Sequence, residues 1–507
     1  MTVIPESRAP QARQHRSPPT VPITTLDRRF ASFARISVLA ATDFSALILA
    51  GGLAYSIWAL PVKGQSITLY LELVPLISLF LLGYAQSGLY PGFGLGPVET
   101  LRRQSFVTSF GYLVLAAFTF ALKLPHLYSR VTFTLAVGLS LLFVPITRAI
   151  VVGLARRWSW WNEPVVVIGT GERAIRAIRS IQRGSLGYTP VAVLFEGTHS
   201  TSKVVPHGTT KVVPYDPSGG LVEDIPVVGG LAVAPNIAAC GVRVALITGG
   251  SLQDLTTIDE LQRHFRHVIL LREYDDLPVE GIQIRALGPL VGIEYTNNLL
   301  LPGNRMMKRA LDLVVAGATL LVASPLVAVA IALVRLIDGS PIFFSQSRAG
   351  IDGRRFAVPK IRTMKRDAEK QLDEFLTADA ALREEWETRH KLRNDPRLIP
   401  LVGRLFRRLS IDELPQLWSV LRGDMSLVGP RPFPDYHLAK FSPLFLEFRQ
   451  RVRPGITGLW QVEIRSEGSI VEQEAYDSYY IRNWSVWLDL YLLARTVAAV
   501  AAGRGAY

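Results

Sequence analysis

DLVVAGATLLVASPLVAVAIALV occupies residues 312–334, and the reading of this run decides the fold. A helix needs about 20 apolar residues to cross a bilayer, and the run supplies them. Lys308 and Arg309 stand before it and Arg335 after it, while Ser324-Pro325 interrupts its middle. Proline lacks the amide donor and its ring collides with the preceding turn, so a break is expected there. The Ser324 hydroxyl is available to the freed carbonyl. Two topologies compete: a kinked full span, and a re-entrant helix that dips into one leaflet and returns.

Upstream, apolar runs at 36–60, 68–84, 105–122 and 131–151 each approach the length of a span and predict a bundle of four crossings. Arg28, Arg29 and Arg35 precede the first run, Arg102 and Arg103 lie between the second and third, and Arg148, Arg156 and Arg157 close the fourth. The excess of positive charge on cytoplasmic loops therefore places the amino terminus, the middle loop and everything after Arg157 in the cytoplasm. Residues 1–27, rich in Pro, Ser and Arg, read as a disordered tail rather than a cleaved leader, since no apolar core follows the charges. Asp43, within the first span, reads as an interhelical carboxylate satisfied by a partner. The content of 49% hydrophobic residues and the mean hydropathy of +0.26 exceed what a soluble enzyme needs. A net charge of +13 suits an anionic membrane face and phosphate-bearing ligands. Because the arginines flank apolar segments, nucleic acid is set aside. Cys240 is the one cysteine, which excludes an internal disulfide and a thiolate metal cluster.

PVVVIGTGERA at 164–174 reads as a buried strand, a glycine turn and a helix, the opening of a dinucleotide fold. A second strand at 190–195 ends beside Glu196, where a ribose-binding acid would stand. A polar stretch then delays the next unit to about Asp224, and 244–248 and 268–271 supply further strands. The third small position is Ala174, and no Tyr and Lys pair for hydride chemistry lies in this half. A structural remnant with no bound dinucleotide is the preferred reading.

Downstream, FSQSRAG at 344–350 and KIRTM at 360–364 set cations near a glycine turn. Residues 365–393 read as a long charged amphipathic helix that NDPR at 394–397 ends. SIDELPQLW at 410–418 and GDMSLVGPRP at 423–432 join adjacent carboxylates to an arginine held between prolines. These are the parts that handle a phosphate ester beside a divalent metal. Ser410 with Glu413 also matches a capping box, with Asp412 favouring the positive end of a helix dipole. At 484–500, aromatic and aliphatic residues with few charges predict a helix lying on the inner leaflet, Trp484, Trp487 and Tyr491 at headgroup level.

The run at 410–432, with KIRTM at 360–364 before it and RPGITGLWQ at 453–461 after it, makes three blocks that resemble the signature of the bacterial sugar transferases, which move a sugar-1-phosphate from a nucleotide sugar onto a polyprenyl phosphate. GLYPGFGL at 88–95, Glu99, WWNEP at 160–164 and NNLL at 297–300 resemble the undecaprenyl-phosphate galactose phosphotransferase branch. The resemblance implies that Asp412 is the nucleophile, acting beside Glu413, and forms a phosphosugar ester with release of UMP before undecaprenyl phosphate takes the group. It implies Mg2+ held by Asp412 or Glu413 with the diphosphate. Arg407, Arg431 and Lys360 are the phosphate-binding candidates, with Arg348, Arg362 and Asp395 behind them. Ser324-Pro325 bends a re-entrant helix, which keeps the catalytic block with cytosolic UDP-galactose or UDP-glucose.

The expected architecture is an α-helical membrane bundle (28–157), an α/β Rossmann-like cytosolic domain (158–300) and a monotopic α-rich catalytic domain (301–507) with a re-entrant helix (308–337). It belongs in a bacterial inner membrane, and a homodimer is compatible with it. Two other classes have support. A membrane-anchored nucleotide-sugar dehydratase or epimerase would use the Tyr436 and Lys440 spacing, and a non-enzymatic assembly scaffold would use the dyad only as a cap.

Overall fold

The computed structural model describes residues 28–121, 129–195, 221–248, 255–271, 282–366, 397–463 and 469–501, together with 368, 377, 383 and 395, less 159, 170, 184–185, 288–289, 296–297 and 299–300. The tail at 1–27 and nearly all of the charged helix expected at 365–393 fall outside them. The chain divides into two compact units at Asp275/Asp276.

In the first unit, helices Phe30–Lys63, Pro97–Ala121 and Arg130–Ala155 are long and apolar enough to cross a membrane. Their surfaces are inverted relative to a soluble bundle. Phe106, Phe110, Leu113, Phe120 and Ile150 face outward, whereas polar side chains pair inside. Tyr84 bonds Thr108 at 2.7 Å and Tyr112 bonds Ser140 at 2.9 Å. A lipid surround favours that arrangement, because an apolar exterior costs nothing there and an unpaired polar group costs much. The Asp43 expectation holds. Its Oδ2 accepts from Tyr90 and from Arg148 Nη1, both at 2.7 Å.

Two expectations about the bundle need correction. The run at 68–84 is not one span but helix Ile67–Leu71, a tight turn at Val74–Leu76 and helix Ile77–Gln86. Glu72 and Pro75 explain the interruption, since Pro75 has no amide to continue the ladder. Arg35 and Arg148 are also not free loop charges. Arg148 is buried on Asp43, and Arg35 donates to the carbonyls of Pro91 at 2.9 Å and Trp161 at 2.7 Å.

A six-stranded sheet completes this unit: β1 (Glu163–Ile168), β2 (Tyr188–Phe195), β3 (Leu221–Val222), β4 (Ile225–Gly230), β5 (Val244–Ile247) and β6 (His267–Leu270). Its order is β3-β4-β2-β1-β5-β6, parallel except for β3. Val165 and Val167 enter one core while Val166 and Ile168 enter the other, as the alternation of a strand covered on both faces requires. Gly169 and Gly171 take positive φ at the turn after β1.

The second unit opens with the hairpin β7 (Ile282–Leu287) and β8 (Leu290–Tyr295), then helix Pro302–Asp338. The helix runs through Ser324-Pro325 without interruption, contrary to the expected break. Pro325 leaves the Leu321 carbonyl without its ordinary donor, and the Ser324 hydroxyl donates to it at 2.8 Å. That bond removes the penalty for continuing.

Both ends of the helix are fastened within this unit. Near its start, Arg309 donates to the carbonyls of Val420 at 2.6 Å and Leu421 at 2.9 Å, and Asp312 accepts from Leu427 N at 3.0 Å. Near its end, Ala330 and Val334 share a core with Ile361, Ile399, Val402, Phe406 and Ile411. No residue between Ala316 and Ala330 is buried.

Lys308 does not reach out to lipid phosphate. It pairs with Asp489 at 2.7 Å and donates to the Val428 carbonyl at 3.0 Å. Trp484, expected at headgroup level, is buried with its indole N–H on Asp489 at 3.1 Å. The terminal apolar helix spans Val486–Ala501.

Candidate active site

Strands β9 (Phe343–Ala349) and β10 (Arg355–Ile361) form an antiparallel hairpin in which Lys360 opposes Phe344 and Val358 opposes Gln346. Alternate residues share a face, so Phe344, Gln346, Arg348, Val358 and Lys360 make one wall. The opposite wall comes from the chain after helix Val402–Arg408. Ser410 there takes a left-handed conformation with φ of 56°, followed by the single helical turn Ile411–Glu413 and helix Gln416–Arg422. A serine in that conformation is uncommon, and it turns Ile411 and Asp412 inward together. The capping box is not formed, because Ser410 makes no cap bond and Glu413 is committed elsewhere. Ser469 and Glu472 form a real one.

β11 (Ser426–Val428) and β12 (Gly455–Thr457) pair in parallel and hold the turn that carries Arg431. The backbones meet at glycines. A Cβ on Gly429 would lie 2.6 Å from the Arg453 carbonyl oxygen, and one on Gly455 would collide with Gly429 N. This close approach accounts for glycine in both motifs.

Glu413 Oε1 accepts from Lys360 Nζ at 2.7 Å and from Arg431 Nη2 at 2.8 Å. Burial opposes its charge, but Arg431 and Lys360 outweigh it and hold the carboxyl at about 2. Asp412 has the opposite environment. Its side chain forms no ion pair among the described residues and is 8% exposed. Burial pushes it up to about 6, with Lys360 opposing, Glu413 adding to the rise and Arg407 opposing. The two adjacent carboxylates are thereby pushed in opposite directions, the arrangement by which one site can obtain two roles from one functional group.

Arg407 donates from Nε to Thr363 Oγ1 at 3.0 Å, and its charge acts on Asp412. Lys360, Arg431, Arg348 and Gln416 line one cleft. Two candidates lie elsewhere. Arg362 is a clamp: it pairs with Asp338 and donates to the carbonyls of Pro341 at 2.6 Å and Gly339 at 3.0 Å, so its fork ties the end of the long helix to β10. Asp395 is spent on Arg397, at 2.7 and 2.8 Å, and lies within electrostatic reach of Arg407.

Arg449 and Asp477 have no signal in the sequence. Arg449 donates to the Arg431 carbonyl, stands 5.0 Å over the Phe433 ring and pairs with buried Asp477 at 3.2 Å. It therefore fixes the backbone from which Arg431 reaches Glu413.

The donor set fits a hard divalent cation in part. Asp412 has no ion-pair partner among the described residues, and both cations bound to Glu413 there fall on Oε1, which leaves Oε2. No group of three or more His, Cys, Asp or Glu suited to a metal exists among the described residues, so oxygens from a bound diphosphate would have to complete the sphere.

The fold and this site define an enzyme of phosphate-ester chemistry built against an apolar helix. Residues 303–503 match the bacterial sugar transferase family. The chain is 41% identical over 206 residues to an exopolysaccharide production protein of Sinorhizobium fredii, covering 41% of this chain and 90% of that one. Over 381 residues it is 31% identical to a UDP-galactose-lipid carrier transferase of Erwinia amylovora, covering 75% and 76% of the two chains. It is 30% identical over 387 residues to the undecaprenyl-phosphate galactose phosphotransferase of Salmonella typhimurium, at 75% and 77% coverage. The chain belongs to the bacterial sugar transferase family.

Proposed function

We propose that the protein transfers a hexose-1-phosphate from a UDP-hexose to undecaprenyl phosphate, the opening step of exopolysaccharide, capsule or O-antigen synthesis. The observation that carries the mechanism is the contrast between Asp412, buried and without an ion-pair partner among the described residues, and Glu413, fixed by Lys360 and Arg431. With its carboxyl at about 6, Asp412 is mostly ionised at neutral pH, yet it is poorly solvated and unhindered by a salt bridge. It attacks the phosphorus that bears the sugar. The P–O bond to the nucleotide breaks, UMP leaves with the electron pair, and the phosphosugar remains on Asp412. Undecaprenyl phosphate then attacks the same phosphorus and restores the carboxylate. Glu413 does not compete, since it serves to hold Lys360 and Arg431 in place for the phosphate oxygens. Mg2+, when held by Asp412 or Glu413 Oε2 with the diphosphate, supplies charge neutralisation.

Galactose is the preferred sugar, because two relatives matched over three-quarters of this chain are named for galactose. A glucose-1-phosphate transferase of Escherichia coli is 36% identical, over 42% of its length.

Helix Pro302–Asp338 is assigned to a re-entrant path into the cytoplasmic leaflet of a bacterial inner membrane. Its two ends are fastened within one unit, and its middle is apolar and exposed, which supports that path. The cytoplasmic placement also requires 67–86 to complete the second crossing; at 1.5 Å per residue that stretch is about 30 Å of broken helix. The sheet of the first unit, which carries none of the assigned chemistry, is read as a Rossmann-like remnant. Tyr436 and Lys440, the pair of the dehydratase reading, are exposed in the second unit, whereas the parallel sheet is in the first. The test is UMP release from a panel of UDP-sugars with undecaprenyl phosphate and Mg2+. Release with UDP-galactose above UDP-glucose is expected, and release with neither ends the reading.

A further inference from the structure

The cleft between the β9–β10 hairpin and the Arg431 turn contains more donors than the protein uses. Arg348, Lys360 and Arg431 face it, and among the described residues Glu413 is the one carboxylate bonded to any of the three. Arg348 bonds Gln346 through Nη2, but its Nη1 is buried with no partner. Gln416 also lines the cleft; it is 3% exposed, and its amide makes no hydrogen bond among the described residues. An unsatisfied buried donor such as Arg348 Nη1 costs a folded protein stability unless a ligand completes it. Phe344, exposed on the hairpin wall, adds a flat apolar surface.

Arg407 does not line this cleft, although its charge acts on Asp412. Cationic positions therefore lie in two places around the Ile411–Glu413 turn. A diphosphate needs two such positions, and phosphoryl transfer sets the attacking oxygen, the phosphorus and the leaving oxygen roughly in line.

From this we infer that the cleft is the leaving-group subsite and holds the nucleoside monophosphate half of the donor. Arg348 Nη1 and Arg431 bind the α-phosphate, Gln416 offers its amide and Phe344 takes the base. The inference rests on the transfer reaction proposed above and adds which half of the donor lies where. In the first step the bond from Asp412 oxygen to the β-phosphorus forms and the bridging P–O bond breaks. The electron pair stays on the α-phosphate, whose added charge meets the unneutralised guanidinium of Arg348. Assistance to the departing group is thus built into the hairpin.

The experiment uses the full chain in lipid nanodiscs with UMP as the probe. Arg348→Gln is expected to raise the inhibition constant for UMP by about tenfold to a hundredfold, the range of a charge-assisted hydrogen bond, and to leave KM for undecaprenyl phosphate unchanged. Gln416→Leu is expected to weaken UMP by a smaller factor, and Arg348→Lys to recover part of the loss. Titration of labelled UMP onto the folded fraction keeps the comparison valid if a variant is less stable. UMP inhibition unchanged in both Arg348→Gln and Gln416→Leu overturns the subsite. So does a rise confined to KM for undecaprenyl phosphate, which would give the cleft to the acceptor. Failure of the underlying reaction is separately visible, because Asp412→Asn would then still release UMP.

Discussion

Asp43 in the helical bundle and Asp412 in the second unit are both buried carboxylates, and their surroundings differ in kind. Asp43 Oδ2 receives a tyrosine hydroxyl and a guanidinium at 2.7 Å each, from residues 47 and 105 positions away. Asp412 receives no ion pair among the described residues, although Lys360, Arg407 and Glu413 all act on it through space. Burial is common to both, so burial does not mark the reacting group. The mark is burial without neutralisation, at a place where three cations stand ready for something other than the carboxylate itself. The first arrangement fastens helices, and the second, on the proposed mechanism, keeps a nucleophile available.

Removing the charge should act in opposite directions at the two sites. Asp43→Ala leaves Arg148 buried and unpaired, and is expected to cost about 3–5 kcal/mol, read as a lower unfolding midpoint in detergent. Replacing Asp43 and Arg148 together by leucine should recover most of it. A double variant as unstable as the single would break the comparison.

Asp412→Asn should instead stabilise the folded protein. The folded carboxyl lies at about 6, above an unfolded value of about 3.9. Between those values the folded state binds more protons, so stability falls as pH rises through that window, and the deficit persists above it. Asparagine removes the deficit. The expected gain is on the order of 2–3 kcal/mol at pH 8, disappearing below about pH 4. A lower midpoint at pH 8 than wild type would contradict it.

Lys360→Met sharpens the contrast further. Lys360 favours the ionised form of Asp412. Its removal should move the acid limb of the pH–rate profile to higher pH and lower turnover at pH 7 by about tenfold. An unmoved acid limb would show that Asp412 is not the group titrating.

The parts of the site that lie close in sequence could be read there. Asp412, Glu413 and Arg431 fall within 410–432, and Lys360 lies in a short basic block. Strands at 164–168, 190–195 and 244–248 could be read from continuous apolar runs beside glycine. What depended on distant partners could not. The partner of Lys308, Asp489, lies 181 residues on, and Trp484 is buried on that same carboxylate, only five residues away in sequence, because the fold turns both inward rather than towards a headgroup layer. Arg362 was grouped with phosphate binders because a guanidinium that binds carbonyls has the same letter as one that binds phosphate. The run at 68–84 passed as a span because mean hydropathy does not register Pro75 removing a donor. Arg449 and Asp477 stand outside the three motif blocks that carry the resemblance, and only the fold brings them to Arg431.

The central claim is that Asp412 carries the sugar phosphate between two displacements. The most direct measurement is the intact mass of the protein after incubation with UDP-sugar and Mg2+ in the absence of undecaprenyl phosphate. The expected result is the mass of one phosphohexosyl group added per chain, located to Asp412 by fragmentation, with one equivalent of UMP released and the adduct discharged on adding the lipid. No adduct, an adduct on another residue, or UMP that appears only when the lipid is present would contradict the covalent role of Asp412.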